Sequence, residues 1–318
     1  MIEIAERRPE WVPELLFPFE SRFIELDGHH LHYLDEGQGP TLLLLHGNPT
    51  WSFLYRHLIL RLRDRFRCVA PDYPGFGLSR PRLGYDFRAA SHADVIAAFV
   101  ESLDLRNVIA FGQDWGGPIG FHVAARQPQR FHGFVIGNTW AWPLKGDAHF
   151  ETFAHLLGGP VGGWAIRRFN AFVNLMIPLG LSAARLSKRE MDAYRGPFAT
   201  EASRAATHVF PRELVTGTEF LIEVESGLSR LRHLPALIVW GVRDFALRRQ
   251  ERERFERAFL DHQTVLLEHA SHFIQEDAPD EIADAILRRW PPRVAEVLRG
   301  GHNEPSRPQR PRQLRGST

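Results

Sequence analysis

Apolar residues along this chain gather in short runs, at 41–46, 66–70, 107–111, 133–138, 236–241 and 264–267. Leu42-Leu43-Leu44-Leu45 shows no alternation of inward and outward positions. Such a run suits a strand covered on both faces, as in a parallel sheet. Two further runs, 22–27 and 31–36, flank Asp27-Gly28-His29-His30 and predict a hairpin with an Asp-Gly turn. Amphipathic stretches at 53–62, 87–103, 117–126, 250–259 and 279–290 predict helices. The last opens with Pro279, Asp280 and Glu281 and closes with Arg288 and Arg289, charges that complement the helix dipole. Strand and helix alternate, so the expected architecture is a doubly wound, mostly parallel eight-stranded α/β sheet.

The alternation breaks at 140–228. No strand-like period occurs there, and helix-like pieces are cut by Gly158-Gly159-Pro160, Ile177-Pro178, Gly196-Pro197 and Pro211. This stretch reads as a helical cap inserted after the strand that ends near Asn138. It would roof the strands' carboxyl ends and exclude water. The expected division is a core of 1–139 and 229–300, a cap of 140–228, and a disordered Arg- and Pro-rich tail of 301–318. The cap's Trp140, Trp142, Phe153, Trp164, Phe169 and Phe172 are expected mostly in its core, the rest against the substrate pocket. Arg307, Arg310, Arg312 and Arg315 make the tail a solvated segment, with contact to an anionic partner or self-association left open.

A hydrophobic fraction of 44% and a charged fraction of 24% are ordinary for a soluble globular protein. The net charge of +1 gives no general attraction to nucleic acid or anionic membrane. Cys68 stands alone, so no disulfide framework is possible, and it reads as a small buried residue. The first residues lack the apolar stretch of a secretory signal, and no run reaches membrane-spanning length. A cytoplasmic protein is the expectation. His29, His30 and His32 sit on the hairpin without cysteine or carboxylate at ligand spacing, so they read as an exposed cluster and not a metal site.

The chemistry lies in Gly112-Gln113-Asp114-Trp115-Gly116-Gly117, between a strand-like run and a helix-like segment. Strand, sharp turn and helix around one reactive side chain is the nucleophile elbow, here with aspartate at its centre. Asp244 follows the run at 236–241, and His272 comes later, giving the order nucleophile, acid, histidine. His46-Gly47-Asn48-Pro49 follows the run of leucines, so the fold would gather these groups at one sheet edge. A serine that displaced halide from an alkyl carbon would be left as an ether, which water does not readily cleave. A carboxylate leaves an ester. Asp114 can therefore attack a tetrahedral carbon in line, and His272 can activate the water that hydrolyses the alkyl-enzyme ester. Asp244 would hold the imidazole's tautomer and stabilise its charged form. The backbone N–H groups of Asn48 and Trp115 are placed for an oxyanion hole, where losing one donor costs roughly a hundredfold in rate. The Asn48 amide and the Trp115 indole are neutral donors suited to a departing halide.

With these segments the chain resembles the haloalkane dehalogenases over about residues 12 to 290. The resemblance rests on His46-Gly47-Asn48-Pro49-Thr50-Trp51-Ser52-Phe53-Leu54-Tyr55-Arg56, Ala70-Pro71-Asp72-Tyr73-Pro74-Gly75-Phe76-Gly77-Leu78-Ser79, the elbow, and His272-Phe273-Ile274-Gln275-Glu276-Asp277-Ala278-Pro279. It implies the α/β-hydrolase fold and Asp114 as nucleophile, His272 as base and Asp244 as acid. It also implies Asn48 and Trp115 as the halide pair. It points to the branch called subfamily III, whose acid follows the seventh strand. Another branch places a glutamate after the sixth strand, where this chain has Asn138-Thr139. By the same resemblance Phe172 and Phe273 are pocket candidates. The implied reaction converts a small apolar halogenated substrate and water to alcohol, halide and a proton, with no cofactor or metal.

The nearest rival is epoxide hydrolysis through the same triad. It needs cap acids, usually two tyrosines, and Tyr194 is the only tyrosine in the cap stretch. Fluoroacetate dehalogenation would want an arginine pair after the nucleophile, and Trp115-Gly116-Gly117-Pro118 offers none. A binder of small apolar ligands without turnover would have no need of Asp114, Asp244 and His272 together. Asp94, Asp104 and Asp277 read as surface or capping carboxylates.

Overall fold

The computed structural model describes residues 2–4 and 8–291. The expected tail at 301–318 lies outside the described residues, as does the end of the expected core at 292–300. The strands are β1 (Ile2–Ile4), β2 (Arg22–Leu26), β3 (His29–Glu36), β4 (Thr41–Leu45), β5 (Arg67–Pro71), β6 (Val108–Asp114), β7 (Phe131–Thr139), β8 (Ala236–Gly241) and β9 (His262–Leu267). They form one sheet in the order β1-β2-β3-β5-β4-β6-β7-β8-β9. The eight expected strands are β2 to β9, and the three-residue β1 adds an antiparallel edge. Asp27 and Gly28 both have positive φ, the two-residue turn that joins β2 to β3. From β5 to β9 every neighbouring pair is parallel. The four leucines of β4 are fully buried, as a strand with helices on both faces requires.

Around the sheet lie α1 (Arg56–Leu62), α2 (Ala89–Ser102) and α3 (Gly116–Arg126), and after β7 a run of six helices. These are α4 (Ala148–Gly158), α5 (Pro160–Phe169), α6 (Ala171–Leu179), α7 (Lys188–Arg195), α8 (Ala205–Thr216) and α9 (Thr218–Leu231). The chain then returns through β8 to α10 (Arg249–Ala258), and past β9 to α11 (Ile274–Asp277) and α12 (Pro279–Arg289). Local chemistry sets several helix starts. Asp147 caps α4, Ser187 and Glu190 form a capping box on α7, and Pro279 opens α12.

Helix α9 falls within the stretch expected as cap, yet it packs on α3 of the core. Gly227 lies against Ala125, Arg230 donates to the Ala125 carbonyl, and Phe220 meets His122 at 5.0 Å. The layer beside the sheet thus takes in α9, and α4 to α8 lie between Thr139 and the start of that helix.

Two expectations about burial are corrected here. His29 and His32 are fully buried, not exposed. His32 Nδ1–H donates to Asp72 Oδ2 at 2.7 Å, and Asp72 also accepts the N–H groups of Ser52 and Leu78. Turn-adjacent histidines look polar in sequence, but a buried carboxylate from the loop after β5 holds this one inside. In the cap, Trp140 and Trp142 are buried, while Trp164 and Phe169 are 61% and 55% exposed. They face outward from α5, whose buried side is Gly163 and Ile166.

Candidate active site

The strand order reverses at β4, which lies between β5 and β6. Ligand sites in such sheets form beyond the carboxyl ends at that switch point. Leu45 pairs with Gly112, so the turn after β4 and the turn after β6 lie side by side. Asp114 has φ of +52°, a left-handed conformation that projects its carboxylate from the sharp bend. Neighbouring residues must be small for this to pack. A side chain at Gly47 would strike the Asp114 carboxylate, and one at Gly116 would strike the Leu45 carbonyl. The Thr139 hydroxyl donates to the Asp114 backbone carbonyl at 2.6 Å and ties the bend to β7.

The Asn48 backbone N–H donates to Asp114 Oδ1 at 2.8 Å, and the Trp115 N–H also serves this carboxylate. Burial pushes Asp114 above the usual carboxylate range, although the His272 imidazole and the two N–H groups pull it back. His46 supports the first of these turns. It donates from Nδ1 to the Gly47 carbonyl, and its Nε2 accepts the Tyr73 N–H at 3.1 Å. Burial lowers His46 to about 4, so its ring is neutral.

His272 Nε2 lies 3.7 Å from Asp114 Oδ2, and its Nδ1–H donates to Asp244 Oδ2 at 2.9 Å. Burial opposes the imidazolium, but the Asp244 carboxylate, its hydrogen bond and Asp114 outweigh it and lift His272 above the ordinary histidine range. Asp244 is itself held. The Ala246 N–H donates to its Oδ1 at 2.7 Å, and the Asn138 amide donates to its Oδ2 at 2.8 Å. Asn138 also accepts the Gly241 N–H and donates to the Gly241 carbonyl, locking the ends of β7 and β8 together.

Between this floor and helices α4, α6 and α8 lies a cavity. Asp114, His272, Asn48 and Trp115 open into it, as do Phe172 and Phe273. Phe150, Phe153, Trp140 and Phe245 complete an aromatic wall. The Trp115 ring stacks on Phe210 at 5.0 Å and meets Trp140 edge-on at 4.8 Å. The Asn48 side chain is fixed from the roof: its Nδ2 donates to the Thr207 carbonyl at 3.2 Å. That carbonyl is available because Pro211, four residues on in α8, has no N–H to give it.

All five polar candidates from the sequence thus meet at one place. Three others had been read differently or not at all. Asp277, expected at the surface or on a cap, is buried. It accepts the N–H groups of Ser182, Ala183, Ala184 and Ser271, clamping the loop after α6 to the loop that carries His272. Gln113 and Asn138, whose amides meet His272 and Asp244, drew no role from the sequence, where Asn138 stood only at the position of another branch's acid. Their only sequence signal was position, one residue before the nucleophile and at the end of a strand. The cap tyrosine, Tyr194, is turned away from the cavity and donates to Glu276, which pairs with Arg56. Among the described residues no group of His, Cys, Asp or Glu has the arrangement to hold a metal ion.

Residues 40–279 match the family model of the α/β hydrolase fold. The chain is 44% identical to haloalkane dehalogenase 2 of Mycobacterium tuberculosis over 277 residues, 86% of this chain and 96% of that protein. The chain belongs to the haloalkane dehalogenase family. A crystal structure of a putative ancestral haloalkane dehalogenase superposes with a TM-score of 0.76 at 30% identity, covering 83% of this chain and 96% of that one. A further relative is the cis-3-alkyl-4-alkyloxetan-2-one decarboxylase of Shewanella oneidensis, 32% identical over 282 residues, 86% of this chain and 89% of that protein. This haloalkane dehalogenase is a hydrolase of carbon–halogen bonds, taking a halogenated substrate and water. No helix among its described residues is long and apolar enough to cross a membrane.

Proposed function

We propose that Asp114, His272 and Asp244 carry the dehalogenation. The Asp114 carboxylate attacks the halogen-bearing carbon, and the halide leaves toward the Trp115 indole N–H and the second Nδ2 hydrogen of Asn48. The alkyl ester on Asp114 is then attacked by water that gives its proton to His272 Nε2. The tetrahedral oxyanion is held by the backbone N–H groups of Asn48 and Trp115. Asp244 steadies the imidazolium until the proton is lost. The observation that carries this reading is the geometry around one carboxylate: an N–H at 2.8 Å from one oxygen and an imidazole at 3.7 Å from the other. Two bounds accompany it: a cap of α4 to α8, with α9 in the core, and a cytoplasmic setting, which the single buried Cys68 supports.

The test is trapping. His272→Phe, incubated with 1-bromobutane, should release one equivalent of bromide and gain the mass of a butyl group on Asp114. Absence of an adduct, with bromide released, would remove Asp114 from the role. Two rival chemistries are checked alongside. Epoxide opening wants a hydroxyl acid over the nucleophile, and no tyrosine lines the cavity. Opening of a β-lactone at its ring carbon by the same carboxylate has the support of the Shewanella relative. It would leave a substrate carboxylate in the cavity, where neither arginine nor lysine lines the wall. Turnover of either substrate faster than of bromobutane would reverse the ranking.

A further inference from the structure

Gln113 is fully buried one residue before Asp114, and its Nε2 lies 3.0 Å from His272 Nε2 and 3.1 Å from the His272 carbonyl oxygen. Its own Oε1 is buried without a hydrogen-bond partner. The carbonyl decides which end of the amide faces the ring, because an Oε1 placed there would oppose another oxygen. One Nε2 hydrogen therefore goes to the carbonyl. The other points at the imidazole nitrogen, whose lone pair is free because Nδ1 carries the proton toward Asp244. We propose that Gln113 is a positioning residue for the general base, its amide N–H holding the Nε2 lone pair of His272 so that the ring rests neutral and returns to neutral after each turnover.

The function follows from the neighbouring charge. An Nε2–H cation 3.7 Å from Asp114 would pair with the nucleophile and blunt it. A donor on that lone pair disfavours the cation, since a second proton there would face the amide's own hydrogen. In the second half-reaction the water takes the lone pair and displaces one Gln113 hydrogen, while the bond to the carbonyl keeps the amide in place. The groups that face the ring can be named. Asp244 comes from the loop after β8 and Asp114 from the end of β6, and both favour the cation. His149 of the cap lines the same cavity and donates to the Ala246 carbonyl. On the segment after His272, Glu276 is engaged by Arg56 and Tyr194, and Asp277 by four backbone N–H groups. Arg243 is turned outward to the Glu268 carbonyl. Gln113 is the neutral group that opposes the two carboxylates.

This inference rests on the assignment of His272 as base, and its test reads protonation directly, apart from activity. Nitrogen-15-labelled histidine NMR on the full chain should show neutral His272 as the Nδ1–H form. Gln113→Met, similar in size but without donors, should raise the titration midpoint of His272 by about 0.5–1 pH unit. Gln113→Glu, which sets an acceptor where the donor was, should raise it further. In Gln113→Met the acid limbs of both the bromide burst and ester hydrolysis should move up by the same interval, because the imidazolium that fails as a base also pairs with Asp114. An Nε2–H form in the wild type, or a midpoint unmoved in both variants, would overturn the role. Failure of the ester trap in His272→Phe would instead strike the assignment of the base and leave the titration result standing.

Discussion

The floor and the roof of this active site are built by different means. The floor is made of strand ends. Asp114 ends a β-strand, Asn48, Asp244 and His272 lie in the loops after others, and backbone N–H groups, buried amides and glycine contacts fix them. The roof is made of helix faces, filled by aromatic side chains from α4 and α6 and by Pro211 and Leu214 of α8. The floor tolerates almost no variation in shape, because its geometry is that of the main chain. The roof tolerates repacking, because volume and apolarity are what it supplies. Reaction type belongs to the first and substrate fit to the second.

The largest effect should come from the floor. Asp114→Ala removes the carboxylate that meets the Asn48 and Trp115 backbone N–H groups and His272. Halide release from 1-bromobutane should fall by roughly 10⁴-fold or more, without loss of the folded state as read by thermal unfolding. Residual turnover above that level would mean another nucleophile in the cavity and would erase the contrast between the two layers.

Acid should strike the floor next. The His46 ring is neutral in the folded protein, with its midpoint lowered to about 4, whereas in the unfolded chain it titrates near 6.5. Between these values the unfolded state binds the extra proton, so stability falls as pH drops from about 6.5 to about 4 and levels off below. The loss assigned to this one ring is on the order of 3 kcal/mol. Denaturant melts at intervals across that window should show it, and His46→Gln should flatten the slope. His272 has the opposite shift, so its activity limb lies on the alkaline side of the ordinary histidine value, and hydrolysis should slow as pH falls through it.

Roof and floor touch at Pro211, and there the two demands conflict. Pro211→Ala restores an N–H to α8, which can take the Thr207 carbonyl now used by Asn48. The helix should gain stability, on the order of 1 kcal/mol or more, because the ring's clash and the missing bond are both relieved. The Asn48 amide should lose its orientation, and iodide or bromide affinity, followed by tryptophan fluorescence, should weaken about three- to tenfold. In an Asn48→Ala background the second effect should vanish while the first persists. Stability and halide affinity moving in the same direction would sink the account.

The division between layers also explains what could be read from the sequence. The elbow was legible because its chemistry demands small residues at fixed offsets around Asp114, and the strands of the parallel sheet because burial on both faces leaves uninterrupted apolar runs. Asp244 and His272 were legible by their order after such runs. What escaped depends on which strand ends meet. Asn138 acquires its role only because β7 and β8 pair in the register that sets Gly137 against Val239. Gln113 acquires its role only because the loop after β9 returns over β6. Asp277 looked like a surface charge since nothing local announces four backbone donors gathered from two loops. The errors on His29, His32, Trp164 and Phe169 have the same root: burial is decided by distant parts of the chain, and residue type is only a guide to it.

The smallest effect should come from the outer face of the roof, and it sharpens the comparison most. Helix α5 lies outside α4 and α6, and its Trp164 and Phe169 meet edge to face at 5.1 Å with their outer surfaces in solvent. The cavity is reached by Phe153 of α4 and Phe172 of α6, whose rings meet at 6.5 Å beneath that layer. Trp164→Ser removes a half-exposed contact and leaves the cavity wall untouched. Stability should change by no more than about 0.5 kcal/mol, as for other surface substitutions. The kcat/KM for short bromoalkanes should stay within about twofold, which corresponds to less than 0.5 kcal/mol of barrier. Phe172→Ala, by contrast, opens the wall itself and should shift chain-length preference. If Trp164→Ser altered that preference as strongly, the roof would transmit shape from its outer surface to the substrate, and the separation drawn between its two faces would fail.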